Sequence, residues 1–195
     1  MALFDRQLVE LRAFAPSPDI RDTYGSLDAA WGEYKTALVG AAPAKTGAAN
    51  VVTLDAKILT LANQGTVQYE KASGKATGHL INLAGRQRML SQRMAKFYFA
   101  AGLGVSSSSA VTELNKAKAD FLAAMETLRN APETTSKIKD ELQLADAQWM
   151  FFEHALQKLQ PGTASAKPAS DVFVTSENLL AVMDKVTGMF SALKA

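Results

Sequence analysis

The chain has 195 residues, of which 48% are hydrophobic and 21% are charged, and its net charge at pH 7 is +2. It can therefore bury a core and form one or two small domains, which excludes an intrinsically disordered protein. The absence of cysteine excludes a disulfide scaffold and a thiol-based site. No apolar run reaches the ~18 residues of a transmembrane helix, so we expect no membrane span.

Three helices are predicted in the first part of the chain. Residues 3–14 show an amphipathic pattern that ends before a proline. Ser17, Pro18 and Asp19 combine an N-cap, a proline at the first helical position and an acid in the first turn. A second helix should therefore begin there and continue to Gly40.

The third helical pattern follows an expected loop at residues 40–49 and begins at about Val51. Two possibilities remain open for its end. The helix either continues unbroken to about Gly104, or it is interrupted at Gly74 or Gly78. Each glycine costs about 1 kcal/mol relative to alanine inside a helix, which makes these positions candidate kinks.

The sequence predicts three more helices in the second part of the chain, after residue 105. The four serines at 106–109 should form a turn and cap a helix over residues 110–129. Another helix should start at residues 134–136 and end at Pro161, and Ser170 should cap the last one. No stretch shows the alternation typical of strands, so the expected fold class is all-α.

The most informative stretch is residues 81–98, which at 3.6 residues per turn form one helix with three stripes. The first stripe is apolar and typical of a core, and the second is basic. The third consists of small residues around one arginine, so a partner helix could approach closely and meet Arg88. The apolar stripe contains Leu83, Leu90, Met94 and Phe97; the basic stripe contains Asn82, Arg86, Met89, Arg93 and Lys96; the third contains Ile81, Ala84, Gly85, Arg88, Ser91 and Ala95.

The charge around this helix is also unusual. No aspartate or glutamate occurs between Lys71 and Thr112, whereas that segment carries six lysines and arginines. The net charge of this segment is therefore +6. Because the net charge of the whole chain is +2, the charges of all other residues sum to −4. Surface helices normally interleave acids with bases to form i,i+4 pairs. The arginines of this helix must therefore find partners on other elements.

The run Asn82-Leu-Ala-Gly-Arg-Gln-Arg-Met-Leu-Ser-Gln-Arg-Met resembles the signature helix of the type IV pili chemotaxis transducer N-terminal domain family. That family is related to the periplasmic sensor domains of nitrate/nitrite-responsive histidine kinases. The resemblance implies a four-helix bundle that binds a small oxyanion where two signature helices meet, in a homodimer or pseudo-dimer. Arg88 would be the main ligand, and Gly85, Arg86, Ser91 and Arg93 complete the candidate site. It also implies tandem domains, a periplasmic location and a role in chemotaxis signalling.

An internal repeat supports the tandem organisation. Phe4, Leu11 and Arg12 match Phe121, Leu128 and Arg129 at an offset of 117, and Ile20, Asp22, Trp31 and Leu38 match Ile138, Asp140, Trp149 and Leu156 at an offset of 118. We therefore predict that residues 1–72 are a partial first repeat of three helices without a signature helix. Residues 73–195 should form the complete antiparallel four-helix bundle.

Catalytic chemistry is not indicated. The sequence has no cysteine nucleophile, no G-x-S-x-G elbow and no His/Asp/Ser cluster, so we expect neither an enzyme nor a cofactor. Its two histidines, His79 and His154, are too few for a metal site. The favoured hypothesis is a small-oxyanion sensor, with nitrate or nitrite as the ligand. The alternative is a helical module that docks an acidic partner protein, and nucleic-acid binding is weakest because basic charge is confined to one helix.

Overall fold

A computed structural model of the chain describes residues 1–39, 44–75 and 77–193. Within these ranges it contains seven α-helices and no strand, which confirms the all-α prediction. The chain divides into two compact units, Met1–Lys75 (unit 1) and Ala76–Ala195 (unit 2). The helices are α1 (Ala2–Phe14), α2 (Pro18–Leu38), α3 (Lys45–Ser73), α4 (Gly78–Gly102), α5 (Ser107–Asn130), α6 (Ser136–Leu156) and α7 (Ala166–Ser191).

Two helix starts follow from side-chain caps. The Ser17 hydroxyl accepts a hydrogen bond from the backbone N–H of Ile20 at 3.4 Å, as its position before Pro18 predicts. The Thr135 hydroxyl accepts one from the N–H of Ile138 at 3.3 Å. Each cap satisfies one of the first-turn N–H groups that a helix leaves unpaired. The predicted starts of α2 and α6 are confirmed.

The unbroken third helix is excluded. Gly74 follows α3 with φ of +60°, a left-handed conformation that glycine adopts without steric cost, and the helix stops there. The signature helix α4 is therefore a separate element. The predicted start of α3 near Val51 was wrong, because the helix already begins at Lys45. Residues 40–43 of the expected loop lie outside the described residues.

Two other helix starts differ from the predictions. Helix α5 begins at Ser107, because the hydroxyls of Ser107 and Ser109 donate to the carbonyls of Ala101 and Ser106 instead of capping a later start. Helix α7 begins at Ala166, so Ser170 lies inside it. Pro168 falls in its first turn, where the missing proline N–H would have no intrahelical partner.

Unit 1 has its core between α2 and α3, with α1 packed on α2. The Phe4 ring lies 4.4 Å from the ring of Trp31, centroid to centroid. Tyr24 packs directly onto α3 at Gly65, where an added Cβ would lie 2.5 Å from the Tyr24 ring. The glycine therefore permits the close approach of α2 and α3. The buried core residues include Leu8, Ile20, Tyr24, Leu27 and Trp31.

Unit 2 is organised around α4, which packs against both α5 and α7, while α6 packs against α7. Leu90 and Met94 of α4 are buried, as are Trp149 and Phe152 of α6, and all four were predicted to lie in the core. The Trp149 ring stacks on the ring of Phe121 from α5 at 4.8 Å. Within unit 2, helix α4 is thus enclosed on two sides.

Candidate functional site

Two arginines of α4 pair with acids of α5. Arg86 lies 3.2 Å from Asp120, and Arg93 lies 2.7 Å from Glu113. The two arginines are two helical turns apart, and so are their partners in reverse order, as neighbouring antiparallel helices require. The prediction that these arginines pair outside their own acid-free segment is confirmed.

Arg88 faces the other neighbour of α4. Its guanidinium forms an ion pair with the carboxylate of Asp184 on α7. The two side chains are 40% and 65% exposed. Such exposed pairs contribute at most about 1 kcal/mol, because water and salt screen the attraction. The Arg88–Asp184 pair is therefore held only weakly.

A shallow groove between α4 and α7 contains this ion pair. Gly85 forms part of its floor, and an added Cβ there would lie 3.5 Å from Nη2 of Arg88 and 3.9 Å from Cγ2 of Thr187. Both are ordinary van der Waals distances, so the guanidinium lies directly over Gly85 with room for no more than a methyl group between them. Charge in the groove is mixed, with one arginine and two carboxylates. The lining residues are Gly85, Arg88, Met89, Gln92, Glu177, Leu180, Ala181 and Asp184.

The small-residue stripe of α4 lies mostly inside unit 2. Ala84 and Ser91 are fully buried, and Ala95 is nearly so. The Ser91 hydroxyl donates to the Arg88 backbone carbonyl at 2.8 Å. The expectation that this stripe forms the contact with a second signature helix is therefore wrong for these three residues, because the unit's own helices already cover them.

The structure brings together only two of the five candidate residues. Gly85 and Arg88 share the groove beside α7. Arg86 and Arg93 pair on the α5 side of the helix. Ser91 is buried and bonded to main chain. A site built on this single unit therefore centres on Arg88.

Sequence reasoning missed the acids of α7 that face Arg88. Glu177 and Asp184 are two turns apart on the same face of α7 and line the groove. Their spacing was available as a signal, because an acid-free basic helix requires acidic stripes on its neighbours. What the spacing could not supply was which acidic stripe packs beside which arginine.

Gln87 was also missed. This residue of the signature run is 0% exposed, and its Nε2 donates to the Phe121 carbonyl of α5 at 3.2 Å. Its Oε1 has no hydrogen-bond partner in the part of the chain that the structure describes. A polar residue between two arginines reads from sequence as part of a solvated face, so nothing in the pattern indicated its burial.

Other kinds of site find no support in the described ranges. No group of three or more His, Asp or Glu side chains there could hold a metal ion. Residues 1–39, 44–75 and 77–193 also contain no helix with the length and apolar character needed to cross a bilayer. The open α4–α7 groove combines residues of the signature run with access from solvent.

The chain matches a protein-family model. The family described as "Type IV pili methyl-accepting chemotaxis transducer N-term" (PilJ) matches residues 71–188. That range includes all of α4, α5 and α6 and most of α7, and it exceeds half of the chain. No curated protein and no solved structure is significantly similar to the chain. The PilJ family is a family of non-enzymatic signalling domains. The chain belongs to the family of type IV pili methyl-accepting chemotaxis transducer N-terminal domains.

Proposed function

We propose that unit 2 is a ligand-binding sensor domain that holds a small oxyanion through Arg88, with nitrate or nitrite as the favoured ligand. The observation that carries the proposal is the position of Arg88, in an open groove beside Gly85 and held by one exposed carboxylate. Membership of the chemotaxis transducer family supports a sensory role. In such a receptor the domain would lie in the periplasm.

Exchange of anions at Arg88 explains how ligand could enter. Asp184 is largely exposed, so its carboxylate can turn into water when another anion takes its place. A planar oxyanion can accept two parallel hydrogen bonds from one guanidinium. Glu177 and Asp184 oppose anion binding in the single groove, because they outnumber Arg88. A second cationic group is therefore needed for appreciable affinity.

A second copy of the domain would supply that group. We propose that two copies meet along the α4–α7 groove, with Gly85, Met89 and Gln92 at the contact, as a homodimer or pseudo-dimer. Two Arg88 guanidiniums about 6 Å apart would repel by about 3 kcal/mol at an effective dielectric of about 20. An oxyanion bound between them would attract both guanidiniums and so replace this repulsion by a net attraction. Ligand would thereby favour one helix-pair arrangement over another, which is how a receptor can transmit binding.

The bundle and its partial repeat are part of the same proposal. Residues 73–195 would be an antiparallel four-helix bundle, and residues 1–72 a copy without the equivalent of α4. Helices α2 and α6 both have 21 residues, and their ends are offset by 118. Three contacts recur at matched positions, namely Phe4–Trp31 with Phe121–Trp149, Arg12–Asp28 with Arg129–Asp146, and Ser17–Ile20 with Thr135–Ile138. These matched pairs support the proposed repeat.

The alternative function, docking of an acidic partner protein by α4, has less support. Arg86, Arg88 and Arg93 each already pair with a carboxylate of unit 2. An acidic partner would have to displace several such pairs at once. Arg88 combines an exposed counter-ion with a groove, which suits a small anion better than a protein surface.

Calorimetric titration of the chain with nitrate, nitrite, sulfate and chloride tests the oxyanion proposal. We expect saturable binding of a planar oxyanion and loss of that binding in Arg88→Ala. Arg86→Ala is the matched control, because Arg86 has similar exposure and also pairs with one aspartate of a neighbouring helix. It should weaken binding much less.

The salt dependence and the oligomeric state separate the two hypotheses. A specific anion site depends on which anion is added, whereas docking of an acidic protein weakens with ionic strength. If dimerisation supplies the second Arg88, sedimentation should show that nitrate increases the dimer fraction. Equal affinity for chloride and nitrate, or an unchanged titration in Arg88→Ala, would overturn the proposal.

A further inference from the structure

A second cavity lies at the other end of α4, away from the Arg88 groove. It forms where the last turn of α4, the segment between α6 and α7, and the first turns of α7 come together, and its volume is about 260 Å³. The connecting segment is fixed there, because the N–H of Gly162 donates to the Ala101 carbonyl at 2.9 Å. Most of the wall is apolar and comes from Tyr98, Phe99, Leu103, Leu159, Ala164 and Ala169.

Tyr98 is the unusual member of this wall. The residue is only 6% exposed, and its ring meets that of Phe99 edge-on with centroids 5.9 Å apart. Its phenolic hydroxyl can donate a hydrogen bond, which is unusual in a wall that is otherwise mostly apolar. A tyrosine phenol is protonated at neutral pH, and burial and then the nearby Asp171 carboxylate raise the pKa of Tyr98 further above 10.0.

The N-terminal end of α7 adds positive charge beside the cavity. Ser165 precedes the helix and also lines the cavity, but its side chain makes no capping hydrogen bond. The first N–H groups of a helix have no intrahelical partner and form the positive end of its dipole. Lys158 and Lys167 share the single carboxylate of Asp171, which leaves a net positive charge beside this end. The rim therefore favours an oxygen atom with negative partial or full charge.

We propose that this cavity is a second ligand site, for a small and mostly apolar molecule that offers a carbonyl or carboxylate oxygen to the Tyr98 hydroxyl. A cavity of about 150 Å³ holds benzene, so the larger volume here fits a ring with one substituent. The site shares no lining residue with the Arg88 groove. Because it joins the end of α4 to the start of α7, its occupant would bias the same helix pair that carries Arg88 and Asp184.

Benzoate and benzamide are suitable probes, because they share the ring and the acceptor oxygen and differ in charge. We expect both to bind the whole chain in calorimetric titrations, with amide NMR shifts confined to residues 98–103 and 159–169. Tighter binding of benzoate than of benzamide would show that the positive charge at the rim contributes to recognition. Equal affinity for the two probes would show that recognition depends on the acceptor oxygen and the apolar wall and not on the charge of the ligand.

Two variants test the site. Tyr98→Phe keeps the ring but removes the donor, and it should weaken both probes about tenfold. Ala169→Leu should fill the cavity and abolish binding. Tyr34→Phe in unit 1 is the control for loss of a tyrosine hydroxyl, and it should not change probe affinity.

Three results would overturn the proposal. The first is no binding of either probe to the parent chain at millimolar concentration. The second is unchanged affinity in both Tyr98→Phe and Ala169→Leu. The third is NMR shifts that fall on the Arg88 groove instead of the cavity. Since nitrate binding is measured separately, failure here leaves the oxyanion proposal unaffected, and the reverse also holds.

Discussion

Arg88 on α4 and Asp184 on α7 form an ion pair whose side chains are 40% and 65% exposed. If the pair were buried, removal of the arginine would strand its carboxylate and cost about 3–5 kcal/mol. In the exposed pair we expect Arg88→Ala to lower the free energy of unfolding by less than about 1 kcal/mol, because alanine also favours the helix. Urea denaturation measures this.

Arg93→Ala is the comparison for that experiment. The Arg93 side chain is 19% exposed, and its guanidinium also lies 4.9 Å from the ring centre of Phe97. Arg93→Ala removes both an ion pair and a cation–π contact. It should therefore lower the free energy of unfolding more than Arg88→Ala does. If Arg88→Ala proves the more damaging of the two, Arg88 is a structural residue and is not free to bind ligand.

Helix positions and core faces were largely predictable from the sequence, for identifiable physical reasons. Spacing at three and four residues placed Leu90 and Met94 in the core, and Ser17 marked a helix start through its capping hydroxyl. Sequence spacing defines the face of a helix but not the element that covers it. For that reason Ser91 was assigned to a contact between copies, although it is buried inside unit 2.

The same limit applies to the candidate site. The acid-free charge pattern showed that Arg88 must pair outside its own segment, but not that Asp184 would be the partner. The cavity at Tyr98 was not predictable at all, because it depends on how the segment before α7 folds back on the end of α4. Such an arrangement is a property of tertiary packing and leaves no periodic signal.

Gly65→Ala should destabilise unit 1. The added Cβ would lie 2.5 Å from Cε2 of Tyr24, whose ring is buried and packs edge-on against Tyr69 at 5.5 Å between centroids. Overpacking of this kind costs about 1–3 kcal/mol, which exceeds the gain of about 1 kcal/mol from replacing a helical glycine. Thermal melts of the variant should show the loss.

Gly32→Ala is the matched control in unit 1. Gly32 lies inside α2, and no atom lies within 4 Å of the position of an added Cβ. This variant should gain up to about 1 kcal/mol, since only the helix propensity changes. Similar shifts for the two variants would mean that α2 and α3 are not in close contact at Gly65.

Acid should loosen the attachment of α1 to α2. Trp31 Nε1 and Lys35 Nζ each donate to Oδ1 of Asp5 at 2.7 Å, and the hydrogen bonds from Lys35 and then Trp31 hold the pKa of Asp5 below its usual value of 3.8. A lowered pKa in the folded state means that Asp5 stabilises the fold above pH 3.8. This stabilisation is lost as the pH falls through the lower folded-state pKa.

The indole N–H signal of Trp31 in NMR spectra provides the measurement. We expect it to shift as the pH falls below about 3.8, when the Asp5 carboxylate takes up a proton. In Asp5→Asn the signal should lose that dependence on pH. A parent-protein signal that stays constant through this range would contradict the Trp31–Asp5 hydrogen bond.

Gln87→Leu should keep or raise the stability of unit 2. The buried Oε1 has no hydrogen-bond partner among the described residues, and the Phe121 carbonyl that Nε2 contacts lies inside α5, where helix geometry already supplies a donor. Replacing the amide by an apolar side chain of similar length removes the unpaired oxygen, so we expect a change within about 1 kcal/mol. Chemical denaturation tests this, and a loss above about 2 kcal/mol would show that the amide stabilises the core.

Gln87→Glu provides the opposite case at the same position. A carboxylate at a fully buried site loses its hydration and, near the Phe121 carbonyl, gains no donor. This variant should unfold at a lower temperature than the parent at pH 7 and recover part of the difference in acid, where the side chain is neutral. Equal stability at both pH values would mean that the position is hydrated.

Gly85→Ala separates stability from ligand binding. An added Cβ would make only ordinary contacts, at 3.5 Å from Nη2 of Arg88 and 3.9 Å from Cγ2 of Thr187. Because Gly85 lies inside α4, the substitution should raise stability by up to about 1 kcal/mol. The methyl group would nevertheless occupy the floor of the groove beneath the guanidinium. We therefore expect oxyanion affinity, measured by calorimetry, to fall at least tenfold, or about 1.4 kcal/mol.

Gly188→Ala on α7 is the control for this last prediction. Its added Cβ would have no atom within 4 Å, and Gly188 does not line the groove. It should therefore raise stability in the same way but leave the titration unchanged. If Gly85→Ala binds nitrate as the parent does, close approach at Gly85 is not needed, and a dimer contact along this groove loses its structural basis. If it binds weakly while its melting temperature rises, the loss cannot come from unfolding and must arise in the groove itself.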